Sequence, residues 1–343
     1  MSEWKKCPIG EVVTLRQGFA INAKSKHYMS KEETLLPLLR IADMKNGTKE
    51  VFVKEEIPQR FIAHPEDIIY TRTGNVGLVF RNNYGVMHNN CFSVTPNDAD
   101  ELSRDFLYYA LQNKTFFDTA NALARGAAQP DLPHTSFNSI EFAYPSLFVQ
   151  ERIATILSRY DSLIENYQKH IKLLEEAAQR LYKEWFIDLR FPGHENTKIV
   201  DGVPEGWERK KVNSIIELQS GFAFKSSTFD DNGAYKIVTI KNVKDGAFDG
   251  DNVSRIVAIP EKMPKHCVLA DGDILLSLTG NVGRVCIVNG KNYLLNQRVA
   301  KLATDYKAFA YCLFRSRDMF IEVNNLANGA AQQNVSPIRI GEM

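Results

Sequence analysis

Residues 67–77 read DIIYTRTGNVG (Asp67–Gly77), and residues 273–283 read DILLSLTGNVG (Asp273–Gly283). A short apolar run, opened by Asp and closed by Thr-Gly-Asn-Val-Gly, thus occurs twice at an offset of 206. Outward from it, Trp4 recurs as Trp207. Leu15, Gly18, Phe19 and Ala20 recur as Leu218, Gly221, Phe222 and Ala223, all at an offset of 203. IADMKNG (Ile41–Gly47) is matched by IKNVKDG (Ile240–Gly246), and Gly126, Ala127, Ala128 and Gln129 by Gly329, Ala330, Ala331 and Gln332. Five blocks in one order, with the small drift that loop insertions produce, mark an internal repeat.

Each copy carries mixed signals. Ile68–Tyr70 and Ile274–Leu276 are short apolar runs between Asp and Gly, which predicts strands. Phe106–Leu123 and Tyr306–Leu326 carry aromatics at helical spacing and predict helices. Asn46-Gly47, Asp245-Gly246 and Asn289-Gly290 are turn signals. The expectation is a compact α/β domain of about 140 residues, built twice.

Between the copies, Gln150 to Phe186 contains neither Gly nor Pro. Ile153, Leu157, Tyr160, Ile164, Tyr167, Ile171, Leu174, Ala178, Leu181 and Trp185 alternate at steps of four and three, a heptad seam that asks for a partner helix. A helix of this length extends about 55 Å. Pro145-Ser146 precedes it and Pro192-Gly193 ends it. The predicted fold class is therefore α+β, or mixed α/β. Its parts are a first domain at 1–145, a long coiled-coil-type helix at 146–191, a linker at 192–206 and a second domain at 207–343.

Composition narrows the function. With 44% apolar and 24% charged residues, the chain can bury ordinary cores. A formal net charge of +1 means that any basic nucleic-acid footprint must be local. Cys7, Cys91, Cys267, Cys286 and Cys312 form no Cys-x-x-Cys pair, which argues against a zinc knuckle and suits reduced thiols. No signal peptide or membrane-length apolar run is visible, so a cytoplasmic location is expected. The seven histidines do not cluster. Neither an Asp/Asn-Pro-Pro-Tyr/Phe tetrapeptide nor a Walker, Gly-x-Ser-x-Gly or His-Glu-x-x-His pattern occurs, so no catalytic residue and no metal site are assigned.

Binding candidates come from the repeated loops. In Arg72, Thr73, Gly74 and Asn75, and in Ser277, Thr279, Gly280 and Asn281, paired glycines allow close approach to a phosphate, and amides and hydroxyls can donate to it. Arg81 and Arg284 lie just beyond. The same loops serve equally as hairpin turns of the fold. Gln129, Gln332 and Gln333 can pair bidentately with adenine, although Gly126 and Gly329 also suit helix caps. Polar groups that differ between the copies would read different targets: Lys24 and Lys26 near Phe19 in the first, Lys225, Gln297 and Arg298 near Phe222 in the second. For any one of them a solvated surface is the plainer reading.

Two diverged domains with a long helix, and Gly-Ala-Ala-Gln ahead of the helix start Pro145-Ser146-Leu147-Phe148-Val149-Gln150-Glu151, resemble the specificity subunit of type I restriction–modification systems. The resemblance covers nearly the whole chain. It implies two target-recognition domains, each reading half of a split duplex DNA site. It also implies a helix that sets their spacing and docks methyltransferase subunits, with endonuclease/translocase subunits joining the complex. The subunit itself would catalyse nothing; S-adenosylmethionine, ATP and Mg belong to partner subunits. At the repeat offset Met343 corresponds to Ile140, ahead of the place of a second helix, so either a second specificity chain supplies that helix or the sequence is a shortened product. A two-domain coiled-coil scaffold for proteins is the alternative.

Overall fold

The computed structural model describes residues 4–126, 128–327 and 333–343. The chain divides into two compact units, Met1–Tyr167 and Gln168–Met343.

In the first unit, Val13–Gln17, Cys91–Pro96, Ile68–Thr71 and Val79–Phe80 form an antiparallel four-stranded sheet in that order. Ile68 and Tyr70 face one core, and Ile69 between them faces another. A strand buried on both faces needs apolar residues at every position, which is why the run does not alternate. Helices Arg104–Ala110, Lys114–Leu123 and His134–Asn138 supply the principal core. There the rings of Tyr70 and Phe137, and of Phe92 and Phe137, lie 5.0 Å apart edge to face. A second sheet joins Met29–Ser30, Phe52–Val53, Leu36–Leu39, Gly85–Met87 and Ile62–Ala63. Its central pairing is parallel, Leu38 opposite Val86.

The second unit repeats this plan. Glu217–Ser220, Val299–Ala303, Ile274–Ser277 and Val285–Ile287 make the antiparallel sheet. Ile274 and Leu276 face one core and Leu275 the other. The second sheet again has a parallel pair at its centre, Ile237 opposite Leu294.

Helix boundaries depart from the sequence reading. The predicted helix over Phe106–Leu123 is two helices, because Asn113 caps the second by accepting the Thr115 amide at 2.8 Å. Tyr306–Leu326 likewise divides into Lys307–Arg315 and Arg317–Ala327 about the extended Ser316. The turn signal Asn46-Gly47 is a helix end: Gly47, at φ 67°, caps the helix Ile41–Asn46. The long helix runs Leu147–Tyr182 and finishes in one π-helical turn, Lys183–Ile187, short of residue 191. Among the described residues no helix is long and apolar enough to cross a membrane.

Candidate nucleic-acid interface

Four loops meet at one end of the antiparallel sheet in the first unit. The Arg72 amide donates to the Asn90 carbonyl at 2.8 Å, and the Asn89 amide to the Phe19 carbonyl at 2.9 Å. The Gly74 amide donates to the Pro130 carbonyl at 2.8 Å. The Thr73 hydroxyl donates to Asp131 at 2.6 Å. Arg72 grips the same carboxylate with two nitrogens, at 3.2 and 2.7 Å, and also reaches Gln17 at 3.1 Å. That charge-assisted fork holds the Asp131 carboxyl below the usual carboxylate range.

The second unit builds the same junction from other residues. The Leu278 amide donates to the Arg298 carbonyl at 2.9 Å, the Gln297 amide to Phe222 at 3.1 Å, and the Gly280 amide to Gln333 at 2.9 Å. Thr279 donates to Asn334 at 2.9 Å. Where the first unit has the Arg72–Asp131 ion pair, the second has buried Leu278 beside Asn334.

The Thr-Gly-Asn-Val-Gly loop is locked identically in both. Val76 and Val282 are buried in the cores. Thr71 and Ser277 donate to the carbonyls of Asn75 and Asn281, and accept the amides of Leu78 at 2.9 Å and Arg284 at 3.0 Å. Asn121 donates to Val76 at 3.3 Å and Asn324 to Val282 at 3.2 Å. Gly77 and Gly283 lie under the rings of Phe117 and Phe320. Asn75 and Asn281 remain exposed at the tip.

Each unit also grips its own part of the long helix. In the first, Gln150 is fully buried, donating to the carbonyls of Glu101 and Pro145 at 2.9 Å and accepting the Ser103 amide at 2.8 Å. Asp161 accepts from Tyr109 at 2.7 Å and from Arg81 at 3.0 Å. The Arg81 guanidinium lies 4.1 Å from the centre of the Tyr108 ring. In the second, Glu175 accepts from Tyr311 at 2.8 Å and from Arg315 at 2.9 Å. Tyr182 and Phe186 pack on Phe309, and Phe186 and Phe191 on Trp207.

The family model for the type I restriction modification DNA specificity domain matches residues 1–176 and 204–340. The chain belongs to this family. Among its relatives is the MjaVIII type I restriction enzyme specificity subunit of Methanocaldococcus jannaschii, 29% identical over 96% of this chain and 79% of that protein. The MjaIX specificity subunit of the same organism is 28% identical, with 65% of this chain covered and about half, 54%, of its own length. The EcoBI specificity subunit of Escherichia coli is 23% identical over 89% of this chain and 66% of its own length. The fold is similar to the crystal structure of the type I restriction–modification S subunit from M. genitalium, at a TM-score of 0.58 and 17% identity. That match covers all of this chain and 84% of the other.

In this specificity-domain protein several sequence candidates turn out to be structural. Phe19 is 3% exposed and packs edge to face on Tyr28 and Phe61. Phe222 packs on Phe224 against the second core. Ser277 and Thr279 are buried, with hydroxyls committed to the loop. Arg72 and Thr73 are taken up by Asp131, and Arg81 by the helix. Arg284 is half-buried. Lys24, Lys26, Gly74, Asn75, Gln129, Lys225, Asn281, Gln297, Arg298 and Gln333 are exposed, and Gly280 partly so. Gln332 lies outside the described residues.

The junction also contains Asn89 and Asn90, which were not singled out as binding residues. They occupy the places of Gln297 and Arg298. Aligning the two copies on the Phe19–His88 and Phe222–Asn296 bridges reveals the equivalence. Along the seam, Ile153 packs on the first core and Trp185 is half-buried, whereas Leu157, Tyr160, Ile164, Tyr167, Ile171, Leu174 and Leu181 are exposed.

Proposed function

We propose that this chain is the non-catalytic DNA-specificity subunit of a type I restriction–modification complex in the cytoplasm. Each of its two target-recognition domains, taken as 1–145 and 207–343, reads one half of a bipartite duplex site. The long helix Leu147–Tyr182, with its closing turn Lys183–Ile187, sets the spacing between halves. The observation that carries this reading is the pair of loop junctions: one backbone scaffold built twice, carrying Asn89 and Asn90 in one copy and Gln297 and Arg298 in the other. Equivalent frames with different donors and acceptors, half-buried in Asn89 and Asn90 and exposed in Gln297 and Arg298, are what reading two different half-sites requires.

The exposed apolar residues of the long helix supply a docking face for methyltransferase subunits and for a helix of a second specificity chain. Endonuclease/translocase subunits complete the complex. S-adenosylmethionine, ATP and Mg act on those partners. Membership in a DNA specificity family weighs against the scaffold reading.

The test is co-purification of the chain with a methyltransferase subunit, followed by mapping of the modified adenines. The expected result is a split motif with one modified adenine in each half. Replacing residues 4–140 by another family member's domain should change one half only. Unsplit or sequence-independent methylation would overturn the proposal.

A further inference from the structure

We propose that the two Thr-Gly-Asn-Val-Gly loops are sequence-neutral clamps, each holding a DNA phosphate through Asn75 or Asn281, while base discrimination falls to the neighbouring turn. This inference rests on the DNA-reading function proposed above and assigns the loops a ligand chemistry.

The first argument is identity. Thr73–Gly77 and Thr279–Gly283 have the same five residues. A loop that is the same in both copies cannot tell one half-site from another. Its ligand must be present in both, and the sugar-phosphate backbone always is. The adjacent turn, at the same backbone position, differs at both residues, half-buried Asn89 and Asn90 in one copy and exposed Gln297 and Arg298 in the other, and that is where discrimination can reside.

The second argument is rigidity. Many of the loop's other polar groups are used internally. The hydroxyls of Thr73 and Thr279 are bonded to Asp131 and Asn334, and the amides of Gly74 and Gly280 to Pro130 and Gln333. The amides of Gly77 and Gly283 donate to Thr71 and Ser277 at 3.0 Å. What projects is one asparagine. Its backbone amide and its side-chain amide have no acceptor among the described residues in either copy. Beside it, Gly74 at φ 83° leaves open space where a Cβ would stand. Two unengaged N–H donors on a preformed loop, next to a glycine that allows close approach, suit an anionic oxygen. Because the loop is already ordered, holding a phosphate costs little further conformational entropy.

The test uses the full chain with its methyltransferase partner and the duplex identified by methylation mapping. Asn75→Ala and Asn281→Ala should each weaken binding about tenfold, equally on the cognate duplex and on one with scrambled half-sites, with the methylated motif unchanged. Asn75→Lys should tighten binding to both duplexes and steepen the fall of log K with log salt by about 0.9. A variant that alters the base preference of one half would show base reading and overturn the clamp. So would unchanged affinity in both alanine variants. Should the wild-type complex bind neither duplex, the DNA-reading function itself fails, which separates the two failures.

Discussion

The Asp161 carboxylate on the long helix lies 3.0 Å from the Arg81 guanidinium, which is itself stacked on Tyr108. Removing the carboxylate leaves a half-buried cation with the Tyr108 and Tyr109 rings, the Tyr109 hydroxyl and the more distant, exposed Asp105 carboxylate at 3.8 Å. Both partners retain some solvent exposure, so the cost falls between that of a surface pair and that of a buried one. Asp161→Ala should destabilise the first unit by about 1–2 kcal/mol in urea denaturation. It should also speed amide exchange in the N-terminal part of the long helix. Unchanged exchange there would show that Gln150 and the apolar contacts suffice.

Tyr70 is fully buried, and its hydroxyl has no hydrogen-bond partner among the described residues. Burial pushes that hydroxyl's pKa up. The corresponding residue of the second copy is Leu276, equally buried and without a hydroxyl. Tyr70→Phe keeps the ring stack and removes an unsatisfied polar atom, so it should leave stability unchanged or raise it by about 1 kcal/mol. A loss above that size in thermal melting would reveal a partner for the hydroxyl.

Two glycines of one loop should respond differently to alanine. At Gly77, φ is 94° and a Cβ would lie 2.6 Å from the Phe117 ring. At Gly74, φ is 83° and nothing lies within 4 Å. Gly77→Ala should cost about 2–3 kcal/mol, from backbone strain and displacement of the ring, and Gly74→Ala only about 1. Equal melting temperatures for the two variants would contradict the buttress that Phe117 provides.

Burial lowers the pKa of both His88 and His134, with Arg40 and Arg72 adding to the effect. A histidine with a depressed folded pKa binds its proton more readily when unfolded. Stability is therefore full above the unfolded value of about 6.5 and declines as pH falls through the window below it. Melting temperature should drop from pH 7 to 5, and His134→Phe, which keeps a ring against Phe92, should shrink the drop. An identical pH slope in that variant would place the effect elsewhere.

Lengthening the helix tests its role as a spacer. Four residues inserted between Asp161 and Glu175 leave both clasps intact and add about 6 Å of helix. The methylated motif should then accept a longer gap, or assembly should fail. An unchanged gap with full methylation would remove the helix from spacing.

The repeat, the buried strand and the long helix were legible because each depends on local pattern: a duplicated order of motifs, an unbroken apolar run, a heptad without Gly or Pro. The sites were less legible because they depend on partners distant in sequence. Arg72 reads as a free cation until Asp131 is brought to it by the pairing of two loops. Arg81 likewise hides its commitment to Asp161. Phe19 stands in a repeated motif because it packs a core. Asn113 and Ser316 divide stretches whose aromatic spacing looked continuous, since a capping side chain overrides periodicity at one residue.

The clasps on the long helix carry a consequence for how such chains diversify. Asp161 is held by residues of the first unit and Glu175 by residues of the second, so each unit keeps its own anchor on the rod. A genetic crossover falling between these two carboxylates would exchange a whole unit together with its fastening. New pairings of half-sites could then arise by shuffling, with no need to redesign either attachment.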